Sequence, residues 1–163
     1  INVNINGKNS NVLINISSIS LNENNYDVSI HHNNKNCTSN TNIHGLTIDN
    51  NSIYIKNNGY IPNGSEKSVL HQDNKIIVMN DNKSKIEPNL FIDEYDVEAS
   101  HGAYIGKFDE EELFYLNSRG LDENKCYELL INGFLLNEFN ITDDVKDDLK
   151  KIIKKYWRWK NEL

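Results

Sequence analysis

From its first residue the chain alternates apolar and polar side chains: Ile1, Val3 and Ile5; Val12, Ile14 and Ile16; Tyr26, Val28 and Ile30; Ile53 and Ile55. A period of two gathers the apolar set on one face of an extended backbone and predicts β-strands. The strands are expected to be short, separated by Asn-, Gly- or Asp-bearing turns such as Asn57-Asn58-Gly59 and Pro62-Asn63-Gly64. No helical period of useful length precedes residue 108. Strands and polar turns without helices fit a sandwich, a barrel or a β-solenoid, and no strict repeat length decides among them.

After Gly106 the pattern turns helical. Asp109 and Glu112 have the spacing of a capping box, Phe108 and Leu113 sit at staple positions, and Glu110, Glu111 and Glu112 suit the positive end of a helix dipole. Ser118-Arg119-Gly120 should end this helix, with Gly120 in a left-handed cap. Asp122 can cap a second helix, with Cys126, Leu129, Leu130, Gly133 and Phe134 expected on its apolar face. A third starts at Thr142, with Asp143 and Asp144 behind it, and runs to a basic end holding Lys150, Lys151, Lys154, Lys155, Arg158 and Lys160.

Composition narrows the function classes. The chain has 163 residues and a formal net charge of −7, which argues against a nucleic-acid or anionic-membrane partner held by simple charge. No apolar run approaches the roughly 20 residues of a membrane span, and no signal peptide is visible. Two cysteines, Cys37 and Cys126, are too few for a disulfide framework and lack zinc-site pairing; Cys126 is expected in a helix core and Cys37 in a turn or strand. Asparagine crowds the first ninety residues. Most of it is expected on solvent-facing positions, although stacked amides could also exchange hydrogen bonds from rung to rung. There is no phosphate-binding glycine–lysine loop, no nucleophile elbow and no H-E-x-x-H. Asp143-Asp144 and Asp147-Asp148, next to lysines, fit a solvated helix face. His31-His32 reads as a surface pair whose rings diverge. His44 and His71 show no partners. Trp157 and Trp159 point to different faces of the last helix, one of them towards a core.

The most informative stretch runs from Asp96 to Leu121. Asp96-Val97, Ser100-His101-Gly102-Ala103, Gly106, Asp109, Leu113-Phe114-Tyr115-Leu116 and Ser118-Arg119-Gly120-Leu121 fall in fixed order, followed by Gly133-Phe134. This closely resembles the C-terminal signature of the SufB/SufD family, the scaffold subunits of the SUF iron–sulfur cluster assembly machine: D-V-x-x-S-H-G-A-x-x-G-x-x-D-x-x-x-L-F-Y-L-x-S-R-G-(L/I), then a helix ending G-F. The SufB-type pattern E-H-E-A-x-x-x-x-I is absent, which places the resemblance on the SufD side.

The resemblance implies a mainly β fold: the coils of a parallel, right-handed β-helix over residues 1–106, then a small C-terminal α-helical domain over 107–163. The chain starts at Ile1 rather than Met and would be a C-terminal portion of a longer scaffold. His101 would be an iron or cluster-assembly ligand, since a neutral imidazole nitrogen is competent for iron. Ser100, Gly102 and Ala103 leave room around its ring. A SufB-like subunit would face it, supplying a cysteine and a glutamate, so that a transient iron–sulfur cluster forms between the two. The helical part would dock a SufC-like ABC ATPase, with Phe114, Tyr115 and Arg119 as contacts and ATP handled only by that partner. The compartment would be bacterial cytoplasm or plastid stroma. The expected protein is an assembly subunit rather than an enzyme.

One position departs from the family. Some SufD-type chains have cysteine two residues before the histidine, and here that position is Ala99. Two other readings therefore stay open: a homodimeric or degenerate structural subunit in which His101 closes the last coil, and a carbohydrate-interacting β-solenoid, which the strand region alone permits.

Overall fold

The computed structural model describes residues 1–80, 83–137 and 139–161, with 156–161 in backbone only. The expectation that Trp157 and Trp159 point to different faces of the last helix thus lies outside the described side chains. The chain divides into two compact units, Ile1–Gly106 and Lys107–Leu163.

The first unit is a parallel β-solenoid of about four turns. Its strands are β1 (Asn2–Ile5), β2 (Asn11–Ser20), β3 (Glu23–His32), β4 (Thr38–Thr47), β5 (Ser52–Ile61), β6 (Val69–Val78), β7 (Lys85–Ile92) and β8 (Glu98–Gly106). Odd-numbered strands form one sheet in the order β1-β3-β5-β7, and even-numbered strands form the other, β2-β4-β6-β8. Every pairing is parallel. Each coil gives one strand to each sheet, and apolar side chains from both fill the space between. That core holds Ile5, Val28, Ile30, Cys37, Ile43, Ile53, Ile55 and Ile76. Fully burying an isoleucine is worth about 1.5–3 kcal/mol, so these stacked rows carry much of the unit's stability.

The step from coil to coil explains why no repeat was legible. Asn11 pairs with Thr38, 27 residues on; Glu23 with Ser52, 29 on; and Thr38 with Val69, 31 on. Turn lengths vary while strand registers hold. One corner is nonetheless repeated. Asn9, Asn36 and Lys67 each stand two residues before an even strand with φ of 59°, 55° and 57°. Each donates its N–H to the coil that follows, to the carbonyls of Lys35, Glu66 and Asp96. Asparagine tolerates the left-handed region better than most L-residues. The related triplets Lys8-Asn9-Ser10 and Lys35-Asn36-Cys37 were the available sequence signal.

Several expectations need correction. All strands but β1 are eight to ten residues long rather than short. Asn57-Asn58-Gly59 is no turn but the middle of β5, with Asn57 and Asn58 buried. Gly59 is there because a Cβ would stand 2.4 Å from Leu70 Cδ1 across the core. Asn57 Nδ2 donates to Asn74 Oδ1 (2.9 Å), which pairs two amides inside the coil. Pro62-Asn63-Gly64 is a turn, with Gly64 at φ 92°. Amide exchange between rungs does occur, in Asn89 to Asn58 (3.0 Å), Asn42 to Asn15 (2.9 Å) and Asn33 to Asn6 (2.9 Å).

The second unit has α1 (Glu110–Ser118), α2 (Glu123–Leu136) and α3 (Asp143–Asn161). Asp109 accepts from the Glu111 N–H (2.9 Å), Asp122 from that of Lys125 (2.8 Å), and Gly120 takes the left-handed cap at φ 87°. Phe108 packs edge-on to Phe134 and tilted on Tyr127. The buried face of α2 is Cys126, Ile131, Leu135 and Leu136, rotated from the expected one; Leu129 is 43% exposed and Gly133 is exposed. Asp147 and Asp148 pair with Lys150 and Lys151 one turn on, as a solvated helix face should. Lys154 reaches Glu128 and ties α3 to α2.

Candidate functional site

His101 lies in β8, the last strand of the even sheet. Its register partner is Gln72, which pairs with Thr41, which pairs with Ile14. Thr41 and Gln72 are buried, being covered on both sides along the sheet, whereas His101 ends the row and is exposed. Among the described residues β8 pairs with β6 alone. The same row position that buries Gln72 therefore brings His101 to solvent.

Ala99 and Ala103 are two residues away on either side and share the His101 face by strand alternation. Glu98 is three residues away and belongs to the opposite face, where His71 Nε2 lies 3.7 Å from its Oε1. Ser100 is on that face too, its Oγ 2.7 Å from His71 Nδ1. The carbonyl of Gly102 accepts from Asn74 Nδ2 at 3.2 Å. Among the described residues no group of three or more His, Cys, Asp or Glu comes together as a metal could require. What His101 offers is a single exposed imidazole.

The other histidines differ from expectation. His31 and His32 do diverge, but neither is simply a surface group. His31 stacks on Tyr60 at 4.2 Å, and Tyr60 on Phe91 at 4.7 Å, one ring per coil. His32 is fully buried, with Nε2 2.7 Å from Ser39 Oγ, and its burial lowers its pKa. His44 has a partner in Asp73 (3.5 Å) and His71 has Ser100. Partners 29 residues apart in sequence, as these are, become visible only once the coil step is known. Both cysteines are buried, Cys37 in the solenoid core and Cys126 in α2.

In the helical unit, α1 carries no buried residue. Phe114 is 75% and Tyr115 56% exposed, and the Arg119 guanidinium sits 5.1 Å from the Tyr115 ring centre. Tyr115 also borders a groove of about 380 Å³ lined by Asp109, Glu111, Glu112, Leu116 and Leu130. Its lining thus combines three carboxylates with two leucines and the tyrosine ring. No helix among the described residues is long and apolar enough to cross a membrane.

Stacked parallel coils that end in an exposed histidine-bearing strand, with a helical unit next in the chain, define a β-solenoid scaffold. Residues 1–134 match the SUF system FeS cluster assembly, SufBD core domain family. The chain is 34% identical over 116 residues to the iron–sulfur cluster assembly protein SufD of Bacillus subtilis, covering 69% of this chain and 26% of that protein. It is 39% identical over 101 residues to an iron–sulfur cluster assembly SufBD family protein of Pyrococcus horikoshii (59% and 22%). Over 62 residues it is 36% identical to SufD of Escherichia coli (38% and 14%). The chain thus spans about a quarter or less of the length of these relatives. It belongs to the SufB/SufD family.

Proposed function

We propose that this chain works as a SufD-like scaffold in iron–sulfur cluster assembly. His101 supplies one ligand to a nascent, transient cluster formed against a SufB-like subunit, and the helical unit docks a SufC-like ABC ATPase. The observation that carries the reading is the exposure of His101 next in its row to the buried Gln72 and Thr41, within an intact S-H-G-A segment. A neutral imidazole there can bind iron through either ring nitrogen. A lone imidazole cannot hold a cluster, so the remaining ligands have to come from a facing subunit. Phe114, Tyr115 and Arg119 supply large exposed groups of the kind that anchor interfaces, and the acidic groove beside Tyr115 suits a basic segment of the ATPase. The reading places the protein in bacterial cytoplasm or plastid stroma, with ATP bound only by the partner.

His101→Ala should leave the fold and partner binding intact while lowering cluster assembly in a reconstituted system about tenfold or more, the scale seen when a metal site loses a supporting group. Unchanged assembly would remove the ligand role. Ala99 motivates a second reading: it shares the His101 face and offers no thiolate, as a purely structural or homodimeric subunit would not need one. Equal cluster yields with and without the imidazole would favour that reading.

A further inference from the structure

We propose that His71 and Asn74, both on β6, are positioning residues that hold the backbone on either side of His101. This rests on the reading of His101 as the site's ligand. An edge strand is tied to its sheet by hydrogen bonds on one side only, so its ends and side chains are free to wander unless something else restrains them. Here two side chains do so, from opposite faces of the same sheet.

On the outer face, His71 Nδ1 is 2.7 Å from the hydroxyl of Ser100, the residue before His101. Its Nε2 lies 3.7 Å from Glu98 Oε1, two residues further back on β8. On the inner side, Asn74 is fully buried and donates from Nδ2 to the carbonyl of Gly102, the residue after His101 (3.2 Å). Asn74 is itself fixed, because its Oδ1 accepts from Asn57 Nδ2 on the facing sheet at 2.9 Å. A relay therefore runs from β5 through the core to the backbone beside His101. The residues flanking the imidazole are pinned while the imidazole itself is left exposed. That is what a ligand needs if it must meet a partner's ligands in a set geometry.

The test uses the full chain. His71 is only half-buried, so His71→Phe should fold, and His71→Asn places an amide where Nδ1 stood and can restore the contact to Ser100. Losing one such hydrogen bond should speed amide exchange across Ser100–Ala103 about 5–10-fold. The His101 ring resonances should broaden or shift in His71→Phe, and both effects should return towards the parent in His71→Asn. Asn74→Ser, which shortens the inner donor, should produce the same changes. Exchange and His101 resonances identical to the parent in folded His71→Phe and Asn74→Ser would overturn the proposal. These readouts do not depend on a cluster. If they respond while His101→Ala leaves assembly unchanged, positioning stands and the ligand reading fails. If His101→Ala abolishes assembly while they do not respond, the ligand reading stands and positioning fails.

Discussion

The imidazole of His32 sits inside the solenoid with Nε2 on Ser39 Oγ and Nδ1 without a hydrogen-bond partner. Desolvation disfavours its charged form and holds its pKa below the usual 6.5. In the unfolded chain the ring takes a proton near the usual value, so below that pH the unfolded state binds more protons than the folded one. Stability from this residue is then complete above about pH 6.5 and declines as pH falls towards the depressed folded value. The urea midpoint should be lower at about pH 5.5 than at about pH 7.5, and the difference should shrink in His32→Leu. An equal pH dependence in both proteins would assign the effect elsewhere. From sequence, His31-His32 showed only that the two rings diverge. Which ring enters the core depends on the face that strand β3 buries, and Val28 and Ile30, both even-numbered like His32, carried that information. His101 was singled out for a different reason, since a contiguous motif needs no knowledge of register. Its supports at His71 and Asn74 lie about thirty residues away and were not legible.

Among the elements, the corners before the even strands repeat one backbone conformation with two different residue types. Asn9 and Asn36 adopt it at modest cost, whereas Lys67 lacks a side chain that eases the left-handed region. Lys67→Asn should therefore raise stability by about 0.5–1 kcal/mol, measured as a higher denaturation midpoint with an unchanged slope. A lower midpoint would mean that the lysine side chain does something the corner depends on. Strand β5 makes the opposite case. Gly59→Val would force a branched side chain against Leu70 and Gln72, and should destabilise the unit by about 1–3 kcal/mol. The Asn-Asn-Gly composition there reads as a turn because those residues populate turns in water. Tertiary context overrides it, through an amide pair closed inside the coil and a neighbour that leaves no room for a Cβ. Helix ends were more readable, because a cap is local: Asp109, Asp122 and Gly120 act within a few residues of themselves. The buried face of α2 was not, since which side of a helix is covered depends on what packs against it rather than on its own apolar content.

For the molecule as a whole, strand-rich and helix-rich halves were visible as a change of hydrophobic period, while the choice of solenoid over sandwich or barrel came only from the resemblance. Strand periodicity reports which side chains are buried, not which strands are neighbours. At this scale the ATPase docking proposal makes a simple prediction. The chain mixed with the SufC-type ATPase of the same organism should co-elute in size-exclusion chromatography, and removing the residues after Gly106 should abolish co-elution. Separate elution of two folded proteins would end that assignment. Replacing Phe114, Tyr115 and Arg119 with alanine together should weaken binding at least about tenfold if those exposed groups anchor it.

The stacked ring series His31, Tyr60 and Phe91 shows how regularly one coil sits on the next despite turns of unequal length. Neighbouring strands are spaced by about 4.8 Å whatever the turns do. Excising residues 38–68, one whole coil carrying β4 and β5, would bring β2 against β6 and β3 against β7 and leave the strand parity of both sheets unchanged. The solenoid is thus a ruler graduated in single strand spacings, on which evolution or a designer can slide the terminal histidine towards or away from an upstream feature without rebuilding the coil that presents it.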